Sequence, residues 1–434
     1  MRRTTPSLVT MALTLLVASG VALAVGIGSA AAQSSLVGPG ESIQKAVNAA
    51  DPGDTIVGRG VHREDVIITK NGIKLRGDDA VIEAPSRAKA DSPCSMFSGP
   101  TAICVLGDVN VKTGETTGPR VSDVSVSGFT IRGFKDKDAA VIDVTHARNT
   151  NVVGNRVTSS VARAIGAALS VNTTVAKNHV IGSPENDHGI VVEFSSRTKI
   201  VNNVVRSNVF GIEATKSPNT TIAGNDSIGN SVDGIGVEDS PGTKVLSNVA
   251  RRNEVVGIAI FLGGTQPANA KVVGNDLSGS PWGMYVADTK RGSIAGNTIH
   301  NNCAGMFFES NPSQPVGDFE VKGNTVKDNT RSCPAEQGRE AFSGIGIGLF
   351  GARGMEVTAN HLSGNVPSGP TPVSGGVVVS TDPFFGETIK PTNNSVVGNH
   401  FGRNKPDIFY DKSGSGNSFV GNLCNTSVPR SLCN

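Results

Sequence analysis

The sequence predicts an all-β solenoid in which short strands stack coil upon coil as a parallel β-helix. A Gly-Asn phrase recurs along most of the chain, with apolar residues at fixed places on either side of the Asn, and a second phrase, Gly-Ile, opens a short alternating run. With 53 glycines and only 4% aromatic residues, the chain would supply a poor core to one compact globule. Repeats that each bury an apolar face against the next suit this composition.

The first 32 residues have the pattern of a secretory signal. Arg2 and Arg3 precede an apolar stretch from Leu8 to Ile27, and "SAAAQ" supplies small residues for cleavage after Ala32. An anchoring membrane helix is the alternative, but glycines interrupt the stretch and a cleavage pattern follows it. We therefore expect a secreted, extracellular protein that starts at Gln33 and makes no membrane contact after cleavage.

The charge balance excludes one class of partner. Without Arg2 and Arg3 the chain has 37 basic and 37 acidic residues, so its formal charge is zero. A nucleic-acid-binding domain would concentrate a basic excess on one face, so nucleic acid is not an expected partner.

The six cysteines fall into three close pairs. Since the chain is expected to be exported, the pairs predict disulfides, and the simplest connectivity is Cys94–Cys104, Cys303–Cys333 and Cys424–Cys433. A zinc site is the alternative, but no C-x-x-C or paired-His spacing supports it. We expect the bonds to close insertion loops and the C-terminal end. We assign no metal ligand and no certain cofactor, and Ca²⁺ is expected only if the protein is a lyase.

Asparagines mark the coils at intervals of 22 to 39 residues, so the basic coil has about 22 residues and longer coils carry insertions. An apolar residue stands three positions before every marker and another two positions after most of them. Asn and Gly tolerate the left-handed backbone of a sharp corner, and stacked Asn amides bond coil to coil, so we interpret the markers as structural. The markers are Asn155, Asn178, Asn203, Asn225, Asn248, Asn275, Asn297, Asn324, Asn360, Asn399 and Asn422.

The Gly-Ile phrase predicts a third strand in each coil. After Gly189 and its counterparts, the residues one and three positions later are apolar, as Ile190 and Val192 are. Period two over four residues indicates a strand with those positions facing inward, so the residues two and four positions after the Gly face outward.

The N-terminal stretch carries a family resemblance. "ESIQKAVNAADPGDTIVGRGVHREDVIITKNGIKLRGDDAVI", Glu41 to Ile82, resembles the entry of pectin-lyase-like right-handed β-helix proteins, with a capping helix, "PGDTI" and "GIxLxG". With the Gly-Asn coils, the resemblance covers nearly all of the chain after the signal and implies a right-handed helix. The superfamily includes lyases, hydrolases, epimerases and secreted proteins without known activity. The "NTD", "GHG" and "RIK" motifs of polygalacturonases and the "DPH" of mannuronan epimerases are missing here.

These observations predict one domain, residues 33–434, after the signal at 1–32. We expect a capping helix at 41–50, a loop-rich insertion at 83–120, regular coils at 121–422 and a disulfide-closed end at 423–434.

Function is sought on the outward face, because this fold hosts many activities. Candidate catalytic residues at its acidic end are Glu193, Glu213, Glu238, Asp233 and His188, and candidate substrate contacts are Trp282, Tyr285, Phe307, Asp239 and Lys216. Glu213 and Glu238 should have backbones about 8 Å apart, a separation that suits the acid and base of an inverting glycosidase. Alternatively, the carboxylates hold Ca²⁺ in a uronan lyase with Lys216 or Arg163 as base.

The functional hypothesis is a secreted, monomeric protein that acts on or binds extracellular polysaccharide, as a uronan lyase or glycoside hydrolase. A non-catalytic glycan-binding β-helix is the alternative, and an ordinary solvated face is the simplest interpretation of the same residues. An exported metal-handling protein ranks third, because it would cluster Met, Cys and His, whereas Met284 and Met306 fall on inward positions. His361 and His400 stack on consecutive coils, either as a solvated pair or sharing a metal.

Overall fold

A computed structural model describes residues 32–85, 94, 101–134, 140–158, 163–182, 187–261, 268–312, 314–336, 338–386 and 388–433. The predicted signal peptide lies outside these residues, apart from Ala32.

Parallel strands form a right-handed solenoid, as the sequence predicts, and they pair in one 26-stranded and one 14-stranded sheet. The marker asparagines divide the larger sheet into two walls, named here the first and second sheets, and the 14-stranded sheet is the third. First-sheet strands end just before the marker Asn, second-sheet strands begin just after it, and third-sheet strands contain the Gly-Ile phrase. Thr55–His62 and Lys74–Glu83 run through the first and second sheets without a break.

The remaining first-sheet strands are Ser34–Val37, Ser125–Ser127, Asn151–Val153, Thr174–Ala176, Lys199–Val201, Thr221–Ala223, Lys244–Leu246, Ala270–Val273, Lys290–Ala295, Gly317–Lys322, Glu356–Thr358, Ser395–Val397 and Ser418–Val420. The remaining second-sheet strands are Thr130–Arg132, Arg156–Thr158, His179–Ile181, Val204–Arg206, Asp226–Ile228, Val249–Arg251, Asp276–Ser278, Thr298–His300, Thr325–Lys327, His361–Ser363 and His400–Gly402. The third-sheet strands are Val66–Ile68, Ile103–Leu106, Ala140–Thr145, Arg163–Ala168, His188–Glu193, Phe210–Thr215, Asp233–Glu238, Val256–Phe261, Trp282–Ala287, Ala304–Glu309, Ile345–Phe350, Gly375–Ser380, Ile408–Tyr410 and Ser427–Val428.

Two small strand pairs lie outside these sheets. Val109–Asn110 pairs with Glu115–Thr116 as a hairpin, and Val121–Ser122 pairs with Ala147–Arg148. The predicted insertion at 83–120 therefore holds this hairpin, but it also contains Ile103–Leu106, a strand of the third sheet.

The marker asparagines form a buried ladder between the first and second sheets. Asn225 Nδ2 donates to Ile200 O at 2.8 Å and to Asn248 Oδ1 at 2.9 Å, while its own Oδ1 accepts from the backbone N and the Nδ2 of Asn203, both at 2.9 Å. The same bonds recur from coil to coil, so the predicted structural role is confirmed. The left-handed residue at this corner is the one before the marker, such as Gly224 with φ 63°, and not the marker itself.

The glycine of the Gly-Ile phrase faces the interior where the strand bends into the third sheet. A Cβ on Gly189 would collide with the side chain of Val205 and the carbonyl oxygen of Gly211. The residue before this glycine, His188, lies on the outer face. From Ile190 onward the side chains alternate between the interior and the outer face, as predicted.

A short helix, Ile43–Ala49, covers the N-terminal end of the solenoid. The Ser42 hydroxyl accepts from the backbone N of Lys45, and the Glu64 carboxylate accepts from the backbone N of Ile43 at 2.6 Å, so the first turn is capped. Ile43 and Val47 are buried against the core. The capping helix of the predicted fold is thus confirmed.

All three predicted disulfides are present: Cys94–Cys104, Cys303–Cys333 and Cys424–Cys433. No helix in the described part of the chain is long and apolar enough to cross a membrane.

Candidate functional site

The outer face of the third sheet carries three rows of side chains that run along the solenoid axis. Each row takes one residue from each strand, so neighbours in a row are about 4.8 Å apart. The first row contains Arg163, His188, Phe210, Asp233, Val256 and Trp282. The middle row contains Asp143, Gly166, Val191, Glu213, Gly236, Ala259, Tyr285 and Phe307. The last row contains Thr145, Ala168, Glu193, Thr215, Glu238, Phe261, Ala287 and Glu309.

His188 links two carboxylates at the centre of the acidic end. Its Nε2 lies 2.5 Å from Glu213 Oε2, its Nδ1 lies 3.0 Å from Asp187 Oδ2, and its ring stacks on Phe210 at 4.9 Å between centroids. Burial by itself would lower the pKa of His188, but the bonds and charges of Asp187 and Glu213 outweigh it and raise this pKa to about 9. At neutral pH the imidazole is therefore a cation that lies between the side chains of Glu213 and Asp187.

Arg163 forms a second ion pair beside the first. Its Nη1 lies 2.6 Å from Glu193 Oε2, and its Nε lies 3.7 Å from Asp187 Oδ2. Since the guanidinium is engaged with two carboxylates, it fits a positioning role better than that of the base of a lyase.

Gly236 has no side chain, and the gap that this leaves between Asp233 and Glu213 is called the notch, although Gly236 itself is buried. A Cβ placed on Gly236 would lie 3.7 Å from Asp233 Oδ2 and 3.8 Å from Glu213 Cδ, so the two carboxyl groups are at most about 7.5 Å apart. Burial and the nearby charge of Glu213 raise the pKa of Asp233 to about 7. Near neutral pH the Asp233 carboxyl group therefore exchanges between its protonated and its ionised form.

Glu238 lies one coil beyond Glu213, opposite Thr215, and is exposed. Burial, followed by the charges of Glu213 and Asp239, raises its pKa above the usual value, while Lys216 opposes the shift. Lys216 itself is exposed, and its ammonium lies 5.3 Å from the centroid of the Phe194 ring. Glu213 and Glu238 therefore occupy neighbouring coils with the predicted offset of two residues, but Asp233 lies nearer to the notch that Glu213 borders.

The aromatic end of the face is covered by a segment that sequence reasoning treated as an insertion. The ring of Phe342 stacks on Trp282 at 5.0 Å, and the Arg339 guanidinium lies 5.2 Å from the Trp282 ring. Phe307 is only 1% exposed, so its ring offers no face to a ligand and the expectation that it contacts substrate is wrong. Tyr285 is half-buried, and its hydroxyl donates to Glu309 Oε2 at 2.5 Å.

Asp143 is a site residue that sequence reasoning missed. It is buried on the middle row, accepts a hydrogen bond from the Thr145 hydroxyl at 3.1 Å, and has a pKa that burial raises to about 7. Its strand reads "AVIDVT" without the Gly-Ile phrase, so no sequence signal aligned it with the other outward residues.

The other histidines are outside this site. His361 and His400 are exposed register partners on adjacent second-sheet strands, as expected. His179 lies 2.9 Å from an Arg156 nitrogen, and burial, Arg156 and Arg206 lower its pKa. Among the described residues, no three His, Cys, Asp or Glu side chains are arranged to hold a metal ion.

Two family models match parts of the chain. Residues 140–283 match the family described as "Right handed beta helix region". Residues 219–368 and 260–429 match the family described as "Periplasmic copper-binding protein (NosD)". A search of curated protein sequences found no match.

Solved structures similar to this chain share its fold at low sequence identity. The A-module of mannuronan C-5 epimerase AlgE6 from Azotobacter vinelandii is 14% identical, with a TM-score of 0.54 over 88% of this chain and 94% of that one. XylC in its complex with xylose is 11% identical, with a TM-score of 0.53 over 85% and 86%. PfbA, a surface adhesin of Streptococcus pneumoniae, is 14% identical, with a TM-score of 0.50 over 87% of both chains.

Proposed function

Since this chain is a right-handed parallel β-helix protein of the pectin-lyase-like kind, whose chemistry must reside in its outward side chains, we propose that it hydrolyses a neutral extracellular glycan at the Asp233–Glu213 notch. The supporting observation is that Asp233, a carboxyl group whose pKa is raised to about 7, and a second carboxyl group, that of Glu213, border the same position at Gly236. Glycosidases need a neutral acid and an ionised carboxylate.

In the proposed reaction Asp233 is the general acid and Glu213 is the carboxylate that activates water. Glu213 takes a proton from water as the water oxygen bonds to the anomeric carbon, and the Asp233 proton passes to the leaving glycosidic oxygen. The upper limit of about 7.5 Å between Glu213 Cδ and Asp233 Oδ2 is compatible with the separation of an inverting pair and also with the shorter one of a retaining pair. His188 orients Glu213 through the 2.5 Å contact.

The charge of the face favours a neutral glycan over a uronan. Its carboxylates outnumber its cations, and an excess of negative charge repels a polyanionic substrate. At the acidic end, besides Asp233, the carboxylates are Asp187, Glu193, Glu213, Glu238 and Asp239, and the cations are Arg163, His188 and Lys216. A uronan lyase would have to offset this excess with a cation such as Ca²⁺.

Non-catalytic glycan binding is the second candidate. Phe194 supports it, because 52% of its surface is exposed and its ring lies beside Lys216, near the acidic end of the face. An exposed aromatic ring is a ready stacking surface for a sugar. A copper-handling role lacks soft donors in the described chain: all described cysteines are disulfide-bonded and Met284, Met306 and Met355 are fully buried.

The test is to incubate the purified protein with neutral glycans and uronans while measuring reducing ends and the ultraviolet absorbance of unsaturated uronates. We expect reducing ends without absorbance, and we expect Asp233→Asn and Glu213→Gln each to lower the rate by about 10²-fold or more while binding persists. Asp226→Asn, an outward Asp on the second sheet, is the matched control and should retain activity.

Each other outcome selects a different function. Ultraviolet-absorbing products would indicate a lyase, and binding without products would indicate the glycan-binding alternative. If neither products nor binding were found with any glycan, the carboxylates would be an ordinary solvated face.

A further inference from the structure

We propose that two copies of this chain associate through the outer face of the first sheet, with their solenoid axes antiparallel. This face is a different wall of the solenoid from the third sheet, which carries the carboxyl groups of the candidate site. The proposal is therefore independent of the proposed function, and its test needs no glycan.

One row of the first-sheet face is apolar over seven successive coils. It takes the last residue of each strand, so its members are register partners and the row is about 29 Å long. All except the buried Ala176 are half-buried or exposed, and Val273 is 38% exposed. An outward apolar strip beside charged residues has the form of an association surface. Its members are Val153, Ala176, Val201, Ala223, Leu246, Val273 and Ala295.

The neighbouring row carries charges that change sign along the solenoid. Lys244 and Lys271 lie on consecutive coils, Ser293 follows, and Glu320 and Glu356 occupy the next two coils. All four charged residues are exposed. Within the described part of the chain, the two lysines and Glu356 form no ion pair, and Glu320 has only a 3.8 Å contact with a lysine two residues away on its own strand. Two cations and two carboxylates thus lie at matching distances on either side of Ser293.

A two-fold axis along the strand direction at Ser293 would bring these opposite charges together. Such an axis turns the second face over, reverses its coil order and keeps each row opposite the same row. Lys271 then lies opposite Glu320 of the second copy, and Lys244 lies opposite Glu356. The symmetry repeats both contacts, so four ion pairs cross the interface. A parallel arrangement would instead gather the lysines of both copies at one end and the carboxylates at the other, which is repulsive.

The same axis also covers the apolar row. Ala295 meets its own counterpart, and Ala223 lies opposite Val397 of the second copy, four and three coils from the axis being matched on each side. Val201 lies opposite Val420, which is 60% exposed in the single chain. The strip is therefore complementary to the far end of its own face, and a second copy of this chain is the partner that the face fits.

The size of the face sets the expected strength of the association. The nine coils from Lys199–Val201 to Ser418–Val420 span about 38 Å, and strands of about three residues make the face roughly 10–15 Å wide. About 500 Å² per copy, or about 1,000 Å² in total, is at the lower end of specific interfaces. We therefore expect a reversible dimer with a Kd in the micromolar range.

The first experiment is sedimentation velocity on the parent protein from about 1 µM to about 200 µM, at low and high salt. We expect a monomer–dimer equilibrium that weakens with salt, because salt screens the ion pairs. A monomer at every concentration, as the sequence hypothesis has it, would overturn the proposal, whether or not that monomer binds vesicles of anionic lipid through this face. Neither outcome bears on glycan hydrolysis.

The second experiment exchanges charges across the axis. Lys271→Glu and Glu320→Lys should each raise the dimer Kd by about tenfold or more, because each places two like-charged pairs in the interface. An equimolar mixture of these two variants should recover the dimer, since each supplies the charge that the other lacks. Lys199→Glu, on the same row but opposite the uncharged Ser418, is the matched control and should leave the Kd unchanged. Charge variants that dimerise like the parent, or a mixture that associates no better than its components, would refute this face.

A third measurement locates the axis. The native cysteines are disulfide-bonded, so an added thiol is the only one available to a cross-linker. Ser293→Cys places a thiol on the proposed axis, and a short bismaleimide should link two copies there. Ser125→Cys, on the same row but far from the axis, is the control and should stay uncross-linked. Equal cross-linking of the two variants would contradict the proposed axis.

Discussion

Replacing Asp233 by Asn should make the protein more stable at high pH while abolishing its activity. The side chain is largely buried beside Glu213, and these surroundings raise its pKa from 3.8 to about 7. The folded state therefore binds the Asp233 proton more tightly than the unfolded state does. Below about pH 3 both states are protonated and the residue costs nothing; between about pH 3 and 7 stability falls as the unfolded state ionises first, and above pH 7 the cost is complete.

The size of this cost follows from the shift. About three pH units at 1.36 kcal/mol each give an upper limit of about 4 kcal/mol. The isosteric amide of Asn avoids the buried charge at every pH. We therefore expect Asp233→Asn to raise the free energy of unfolding by about 2–4 kcal/mol at pH 8 and to change it by less than about 0.5 kcal/mol at pH 4.

Urea titrations of the parent and variant at pH 4, 6 and 8, followed by Trp282 fluorescence and circular dichroism, measure the difference. Asp226→Asn, a half-buried carboxylate on the second sheet, is the control and should show no pH-dependent gain. An equal midpoint for parent and Asp233→Asn at pH 8, or the same gain at pH 4 and pH 8, would refute the claim that Asp233 resists ionisation.

Three further predictions concern the parts that support the site. Asn225→Ala should lower the free energy of unfolding by about 3–5 kcal/mol, because it leaves buried partners in the Asn ladder unbonded; urea titration measures this, and the exposed Asn151→Ala is the control. The pKa of His188 is raised from 6.5 to about 9, so the stabilisation that the protonated ring gives the folded state is complete below about pH 6.5 and is lost as the pH rises through 9. His188→Gln should therefore lower the free energy of unfolding by up to about 3 kcal/mol at pH 6 and by little at pH 10. An equal loss at both pH values would contradict this. Ile43→Asp should expose the N-terminal end of the core and cause aggregation measurable by light scattering, whereas Lys45→Asp, on the exposed side of the same helix, should not aggregate.

The repeat in the sequence determined the fold because its signals are local. Period-two alternation decides which residues of a strand face inward, as Ile190 and Val192 do, and the recurring Asn fixes where each coil turns. Since parallel coils in register place equivalent residues in rows, the sequence also predicted that Glu213 and Glu238 occupy neighbouring outward positions. Short separations along the chain made the disulfides predictable in the same way.

Only the tertiary structure decided which outward residues are accessible and how they are charged. Phe307 has the same outward register as Glu213, yet Phe342 and Phe384, from segments without a repeat pattern, bury it. Similarly, the pKa of Asp233 depends on its burial and on the charge of Glu213 one coil away. Contacts between residues far apart in sequence set both burial and electrostatic potential, and a local period carries no information about them.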